Sequence, residues 1–245
     1  MSKIKINNIR YGYKKKIAMK KVKKCGYSLR SLAYQFKNDK DVVMEAVKQN
    51  GYSLQYASEN MKRNREIAFH AVKNYCFAIE FVHKDLLDDM QIINQALEQS
   101  GYVLKYFNPE QKKNKKIVSK AIKKNGYALM YAHRSIKKNK KFIKKILKYY
   151  LGGTSLAYCD KCLRSDKKVV LEAVKTYGYA IKDASKKLQN DKQVIKASIK
   201  QIGLALKFLN LKFRNDKKVV LEAVKQNGFA FKYASKNLKN DRKFV

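Results

Sequence analysis

The sequence has 245 residues and carries 57 Lys+Arg against 19 Asp+Glu, a formal net charge of +38 with a pI near 10.0. Hydrophobic residues make up 45%, enough for a core and too many for wholesale disorder. One proline and ten glycines cannot supply the turns of an all-β fold, and no stretch approaches the ~18 apolar residues of a membrane-spanning helix.

The N-terminal stretch MSKIKINNIRYGYKKK lacks the apolar segment of a signal peptide. Residues 11–25 align as a degenerate first helix, so 1–25 is expected to form an N-terminal cap. From there glycine recurs at Gly26, Gly51, Gly101, Gly126, Gly153, Gly178, Gly203 and Gly228, with Cys76 in the one vacancy. Every step is 25 residues except the 27 between Gly126 and Gly153. Thirteen residues after each of these positions stands Asp or Asn: Asp39, Asn64, Asp89, Asn114, Asn139, Asp166, Asp191, Asp216 and Asp241. Short side-chain oxygens of this kind accept from the free N–H groups of a first helical turn. Apolar pairs such as Val42/Val43 and Ala46/Val47 follow at helical spacing. The next glycine reads as a left-handed terminator, which closes a helix A. A second helix, B, is expected after the glycine, with its own stripe of Leu54, Tyr56, Ala57 and Met61, or Phe231, Tyr233, Ala234 and Leu238.

Both helices are expected to span roughly ten to twelve residues, too short to be stable alone. The predicted fold is therefore all-α, a solenoid of about nine 25-residue helix–turn–helix repeats that bury their cores against one another. The 27-residue step is expected to lengthen one helix or kink the stack. It divides a first subarray, 26–152, from a second, 153–245, near Gly152 and Gly153. The sequence ends on Phe244 and Val245, one turn into another helix A, so the chain is expected to continue or a partner to cover that end.

The pattern of an Asp/Asn cap, then VVLEAVKQNG, then a GYAL-YAS segment resembles the family catalogued as domain of unknown function 4116, most closely at 39–61, 166–188 and 216–238. Its unit is about two of these repeats. The resemblance implies helical repeats of the kind found in protists, giant viruses and some intracellular bacteria, and it transfers no catalytic residue.

Two lysine ladders stand out. One lies three residues before each glycine: Lys23, Lys48, Lys73, Lys123, Lys175, Lys200 and Lys225. A cation in a last turn suits the helix dipole, so this ladder has an ordinary structural reading. The other follows the caps directly: Lys40, Arg65, Lys115, Lys140, Lys167, Lys192, Lys217 and Arg242. A cation in a first turn opposes the dipole by roughly 0.3–1 kcal/mol, which favours a functional polyanion contact. Residues 111–159 contain 15 Lys/Arg and no acid. Lys123, Lys124, Lys137, Lys138, Lys141, Lys144 and Lys145 of this zone join the candidate nucleic-acid contacts. Residues 76–104, by contrast, set Glu80, Asp85, Asp88, Asp89 and Glu98 against Lys84 alone. The first four are candidates for docking a basic partner, including a second copy of the chain.

The aromatics after each glycine, Tyr27, Tyr52, Phe77, Tyr102, Tyr127, Tyr179 and Phe229, read as core. So do Tyr56, Phe81, Tyr106, Tyr131, Tyr158, Phe208 and Tyr233, four residues further on. Cys159 and Cys162 form a lone CxxC, too few ligands for structural zinc, and Cys159 reads as a small core residue. His70, His83 and His133 show no consistent repeat position. No P-loop, GxGxxG, GxSxG or HExxH is present. The expected protein is not an enzyme and takes no cofactor, metal or small-molecule substrate. It is a basic scaffold that binds nucleic acid through phosphates within a larger assembly. The alternative is a structural protein–protein module, such as a minor capsid- or virion-associated protein of a large virus. Irregularly placed cysteines suggest a reducing compartment, the cytoplasm or nucleus of a host cell or a virion, and no membrane partner is expected.

Overall fold

A computed structural model of the chain describes residues 3–149 and 152–241. Every regular element among them is helical, and the repeats build an all-α solenoid. Each repeat contributes one long helix. After α1 (Lys3–Lys24) come α2 (Lys40–Gln49), α3 (Arg65–Asn74), α4 (Met90–Gln99), α5 (Lys115–Lys124), α6 (Lys140–Tyr149), α7 (Lys167–Thr176), α8 (Lys192–Gln201) and α9 (Lys217–Gln226). Each of α2 to α9 starts one residue after a predicted cap. The Asp39 carboxylate, for example, accepts from the backbone N–H groups of Asp41 and Val42. Four positions per helix face inward: in α2 these are Val42, Val43, Ala46 and Val47, all fully buried. Leu29 and Leu54 of the following segments fill the gaps between successive helices, and Leu104 and Leu129 are as fully buried. Each such leucine is worth roughly 1.5–3 kcal/mol of burial.

Helix B is not one α-helix. Residues Gly51–Tyr56 form a 3-10 helix, Ala57 and Ser58 are extended, and Glu59–Lys62 form a single α-turn. The other copies repeat this division, except that after Cys76 the second piece, Lys84–Leu86, is a 3-10 turn. The break has a physical reason. A continuous helix would consume the Ser58 N–H internally, whereas here it donates to the Lys37 carbonyl of the preceding repeat at 2.8 Å. Equivalent bonds run from Ser185 to Arg164 and from Ser235 to Arg214. Stacked repeats thus share a backbone hydrogen-bond ladder, and Ser58 and Ser235 also cap the following turn with their side chains, at Met61 N and Leu238 N.

The repeat glycines are not left-handed; no described residue has positive φ. Their requirement is proximity. A Cβ at Gly26, Gly51, Gly178 or Gly203 would stand 2.3, 2.2, 2.5 and 2.2 Å from the carbonyl oxygen of Ala46, Ala71, Ser198 and Ala223 respectively, twenty residues ahead on the next long helix. An amide supports the same contact. The Asn74 Oδ1 accepts from Gly51 N at 2.7 Å while its Nδ2 donates to the Lys48 carbonyl at 2.9 Å. Gln99, Gln201 and Gln226 bridge Cys76, Gly178 and Gly203 in the same way.

The chain divides into two compact units, 1–108 and 109–245. The division falls at Pro109, whose ring removes one backbone donor, and not at the 27-residue step. At the 27-residue step α6 is described over ten residues and the following 3-10 segment, Gly152–Tyr158, has seven; residues 150–151 between them lie outside the described residues, and with them the expected lengthening of the helix. The expectations for Arg242, Phe244 and Val245 lie outside the described residues.

Candidate polyanion surface

Stacking brings the post-cap cations against the next repeat. Arg65 pairs with Asp89, Lys140 with Asp166, Lys167 with Asp191 at 2.7 Å and Lys217 with Asp241 at 2.7 Å. Lys40 reaches Glu66 at 2.8 Å. In the degenerate first repeat Lys15 takes the same position and contacts Asp39 and Asp41 at 2.8 and 2.7 Å. Asp39, Asp89, Asp166 and Asp191 therefore each close their own helix and receive a cation from the repeat before. This explains the first-turn cations: the partner's charge offsets the unfavourable dipole. Lys115 and Lys192 form no ion pair among the described residues.

The caps titrate accordingly. Burial works against ionisation of Asp39, Asp89 and Asp166, but hydrogen bonds from Lys15, Arg65 and Lys140 and from backbone N–H groups outweigh it, so all three lie below the usual carboxylate value. The Lys167 hydrogen bond is the main cause of the same shift at Asp191. The sign follows from linkage. The unfolded chain binds these protons more readily, so the stabilisation is present above the ordinary value near 3.8 and is lost as pH falls below it through the folded pKa. Urea midpoints are expected to hold from about pH 7 to pH 5 and to drop steeply below about pH 4. Asp191→Asn, which keeps an N-cap, should cost about 0.2–1 kcal/mol at pH 7, the worth of an exposed pair, and blunt the acid response.

The earlier ladder is the unpaired one. Lys23, Lys48, Lys73, Lys123, Lys175, Lys200 and Lys225 are all exposed, and none makes an ion pair among the described residues. Lys124, Lys138, Lys141 and Lys145 are exposed as well, with Lys144 half-buried. Lys137 is withdrawn: its Nζ donates to the Met130 carbonyl at 2.6 Å and burial lowers its pKa. Charge is unequal between the units. Residues 1–108 hold 20 Lys/Arg and 10 Asp/Glu, net +10, whereas 109–245 hold 37 and 9, net +28.

Local partners hold most of the acidic group. Asp89 caps α4 and meets Arg65, Asp88 accepts from Asn108 Nδ2 at 2.8 Å, and Asp85 lies 3.2 Å from the His83 ring, while Glu80 is exposed. His83 and His133 share one repeat position after all. They stand where Ser58, Ser185 and Ser235 do, and their Nδ1 atoms accept from Asp85 N at 3.3 Å and Ser135 N at 3.2 Å as helix caps.

The periodic aromatics are not core. Tyr27, Tyr52, Tyr127 and Phe229 are exposed and the others of both sets half-buried. They pair edge-to-face between adjacent repeats, as in Tyr27 with Tyr56 at 5.2 Å, Tyr52 with Phe81 at 5.3 Å and Tyr179 with Phe208 at 5.6 Å. The small inward residues of the 3-10 segments, such as Ala78, Ala128 and Ala180, leave no interior room for a ring. Cys159 does belong to the core, and burial pushes its thiol up to about 12.

Residues 14–62, 64–112, 114–164, 139–189, 166–214 and 216–245 each match the family described as Domain of unknown function (DUF4116). The chain belongs to that family. Full-length DUF4116 matches span two of the 25-residue repeats, and most begin on a cap: Asn64, Asn114, Asn139, Asp166 and Asp216. The first DUF4116 match begins at Lys14, the cap position of the degenerate repeat, beside Lys15 in the ion-pair ladder. No curated protein and no solved structure matches the chain.

Proposed function

We propose that this chain is a non-catalytic scaffold that holds nucleic acid by its phosphate backbone, largely independently of sequence, within a larger assembly. One observation carries the reading. The lysines before the repeat glycines are exposed and unpaired in seven copies, and the unit richest in cations, 109–245, holds net +28. Equivalent positions on stacked helices recur at roughly 8–10 Å, a spacing that suits a polyanion track and reads no base. The post-cap cations contribute to the field, and exposed pairs of this kind exchange partners at small cost.

The test is salt dependence. Affinity for duplex DNA is expected to fall steeply between about 50 and about 200 mM salt, with a log–log slope near −0.9 per phosphate neutralised. Substituting Lys123, Lys175, Lys200 and Lys225 together by glutamine should weaken binding at least tenfold at low salt and make the slope shallower by up to about 3–4. Affinity that does not change with salt removes the reading. The alternative, a structural module that docks a basic protein, draws on Glu80, Asp85, Asp88 and Asp89. Three of these four already have partners within their own unit, so that reading has the weaker support.

A further inference from the structure

Four buried side-chain polar atoms among the described residues lack a hydrogen-bond partner, and three of them belong to residues that line two equivalent grooves: Arg164 Nε, Ser185 Oγ and Arg214 Nε. Each groove lies between the α-turn of one repeat and the start of the next. The Arg214 groove, of about 690 Å³, is lined by Lys212, Arg214, Asn215, Ser235 and Lys236 among others. The Arg164 groove, of about 280 Å³, is lined by Lys161, Arg164, Ser165, Asp183, Ser185 and Lys186. The two arginines occupy one repeat position, eleven residues after Gly153 and Gly203.

At that position three copies carry a side chain that satisfies itself. Lys137 Nζ donates to the Met130 carbonyl and Lys239 Nζ to the Lys232 carbonyl, both at 2.6 Å, and Gln189 Nε2 donates to the Lys182 carbonyl at 2.9 Å. Each bond folds back seven residues. Neither arginine makes it. A guanidinium is a planar fork of donors without an acceptor, and a buried donor left open is a cost that native structures rarely carry without a reason. The open Ser185 hydroxyl is also a donor. What these groups jointly lack is an acceptor with several lone pairs.

We propose that the two grooves are phosphate seats, in which the arginine fork and a flanking lysine, joined at Arg164 by the Ser185 hydroxyl, hold one phosphoryl group each. The inference deepens the scaffold reading and rests on it for the source, a polynucleotide backbone; a free phosphate would supply the same chemistry. Asp183 sets the order of the two. Its half-buried carboxylate, raised in pKa by burial and opposed by Lys182 and Arg164, faces the Arg164 groove. Tyr233 occupies the equivalent repeat position, and no acid lines the Arg214 groove. The Arg214 seat is therefore the stronger.

The test is the double variant R164K/R214K in the full chain. Lysine already occupies this position at Lys37, Lys62, Lys112 and Lys137, so the fold and the net charge of +38 are kept and only the fork is lost. Two readouts are taken: affinity for a fluorescent single-stranded oligonucleotide, and the rise in Tm with inorganic phosphate over chloride at equal ionic strength. The variant is expected to bind the oligonucleotide at least fivefold more weakly and to lose most of the phosphate-dependent rise, with a Tm in chloride no lower than that of the wild type, because lysine leaves no open donor there. Wild-type behaviour of the variant in both readouts overturns the seats and leaves the scaffold standing. A phosphate-dependent rise confined to the wild type, with no oligonucleotide bound by either protein, keeps the seats for free phosphate and removes the scaffold reading. No phosphate-dependent rise in the wild type overturns the seats.

Discussion

Replacing Gly51 or Gly203 by alanine is expected to destabilise the protein by about 1–3 kcal/mol, the range for forcing a methyl group into filled space. The usual account of a helix-terminating glycine predicts a loss through backbone strain, but neither residue has positive φ. The obstacle is the carbonyl oxygen of the next long helix, 2.2 Å from either added Cβ. A backbone oxygen inside a helix cannot swing aside, so the repeats must separate. Alanine recovers only about 0.4–1 kcal/mol through the unfolded chain. Gly12, in the middle of α1 with nothing within 4 Å of its Cβ position, provides the control. There the same substitution should stabilise by up to about 1 kcal/mol, from helix propensity alone. Urea midpoints of the three variants measure the contrast, and a change below about 0.5 kcal/mol at Gly203 would reject the close approach as the cause. Cys76 shows what a Cβ does at this position. Its N–H meets the Gln99 amide oxygen at 3.2 Å, whereas the glycine N–H groups reach theirs at 2.7, 2.6 and 2.5 Å.

That glycine marks the limit of what the sequence discloses. The 25-residue period, the Asp/Asn caps and the inward pairs such as Val42/Val43 follow from local rules, because a cap and a 3.6-residue stripe are properties of one segment. Helix A was therefore legible almost to the residue. Helix B was not. Over six residues such as GYSLQY, periods of 3.0 and 3.6 place the apolar side chains almost alike, and Ser58 gains its role only when its N–H finds the Lys37 carbonyl one repeat away. Glycine is ambiguous for a similar reason: one letter serves both a left-handed turn and a close approach, and only the neighbouring helix distinguishes them.

The candidate surface shows the same division. Both lysine ladders were visible as spacing, yet their reading turned on contacts about one repeat away. The ladder after the caps, which opposes its own helix dipole, is paired with the next repeat's carboxylates at Lys40, Arg65, Lys140, Lys167 and Lys217. The ladder before the glycines, which the dipole already explains, is the one left facing solvent. The aromatics reverse likewise. Their periodicity suggested core, but alanine at positions such as Ala128 and Ala180 fills the interior, and the rings meet at the surface in edge-to-face pairs. Arg164 and Arg214 drew no notice in the sequence because arginine for lysine at a polar position looks conservative. Their meaning depends on a bond that lysine makes and arginine does not.

The amide between repeats leads to the second large effect. Gln201→Ala is expected to cost about 1–3 kcal/mol, the penalty for leaving a buried donor without a partner. Gly178 is buried, and its N–H meets Gln201 Oε1 at 2.6 Å; no other acceptor receives it among the described residues. The same amide approaches the Thr176 carbonyl at 3.4 Å, so its two ends tie the end of one long helix to the glycine that follows it. Gln201→Glu separates the two ends. A carboxylate still accepts from Gly178 N but cannot donate to Thr176 O, so this variant should lose less than the alanine variant above about pH 5, and protonation, which adds an O–H donor and keeps an acceptor, should bring it closer to the wild type. Amide hydrogen exchange supplies the local measurement: protection of Gly178 N–H should fall in Gln201→Ala and persist in Gln201→Glu. Equal losses from both variants, with Gly178 protected in each, would mean that glutamine acts here only by filling space, and the repeats would be held by apolar burial and the Ser185-to-Arg164 class of backbone bonds alone.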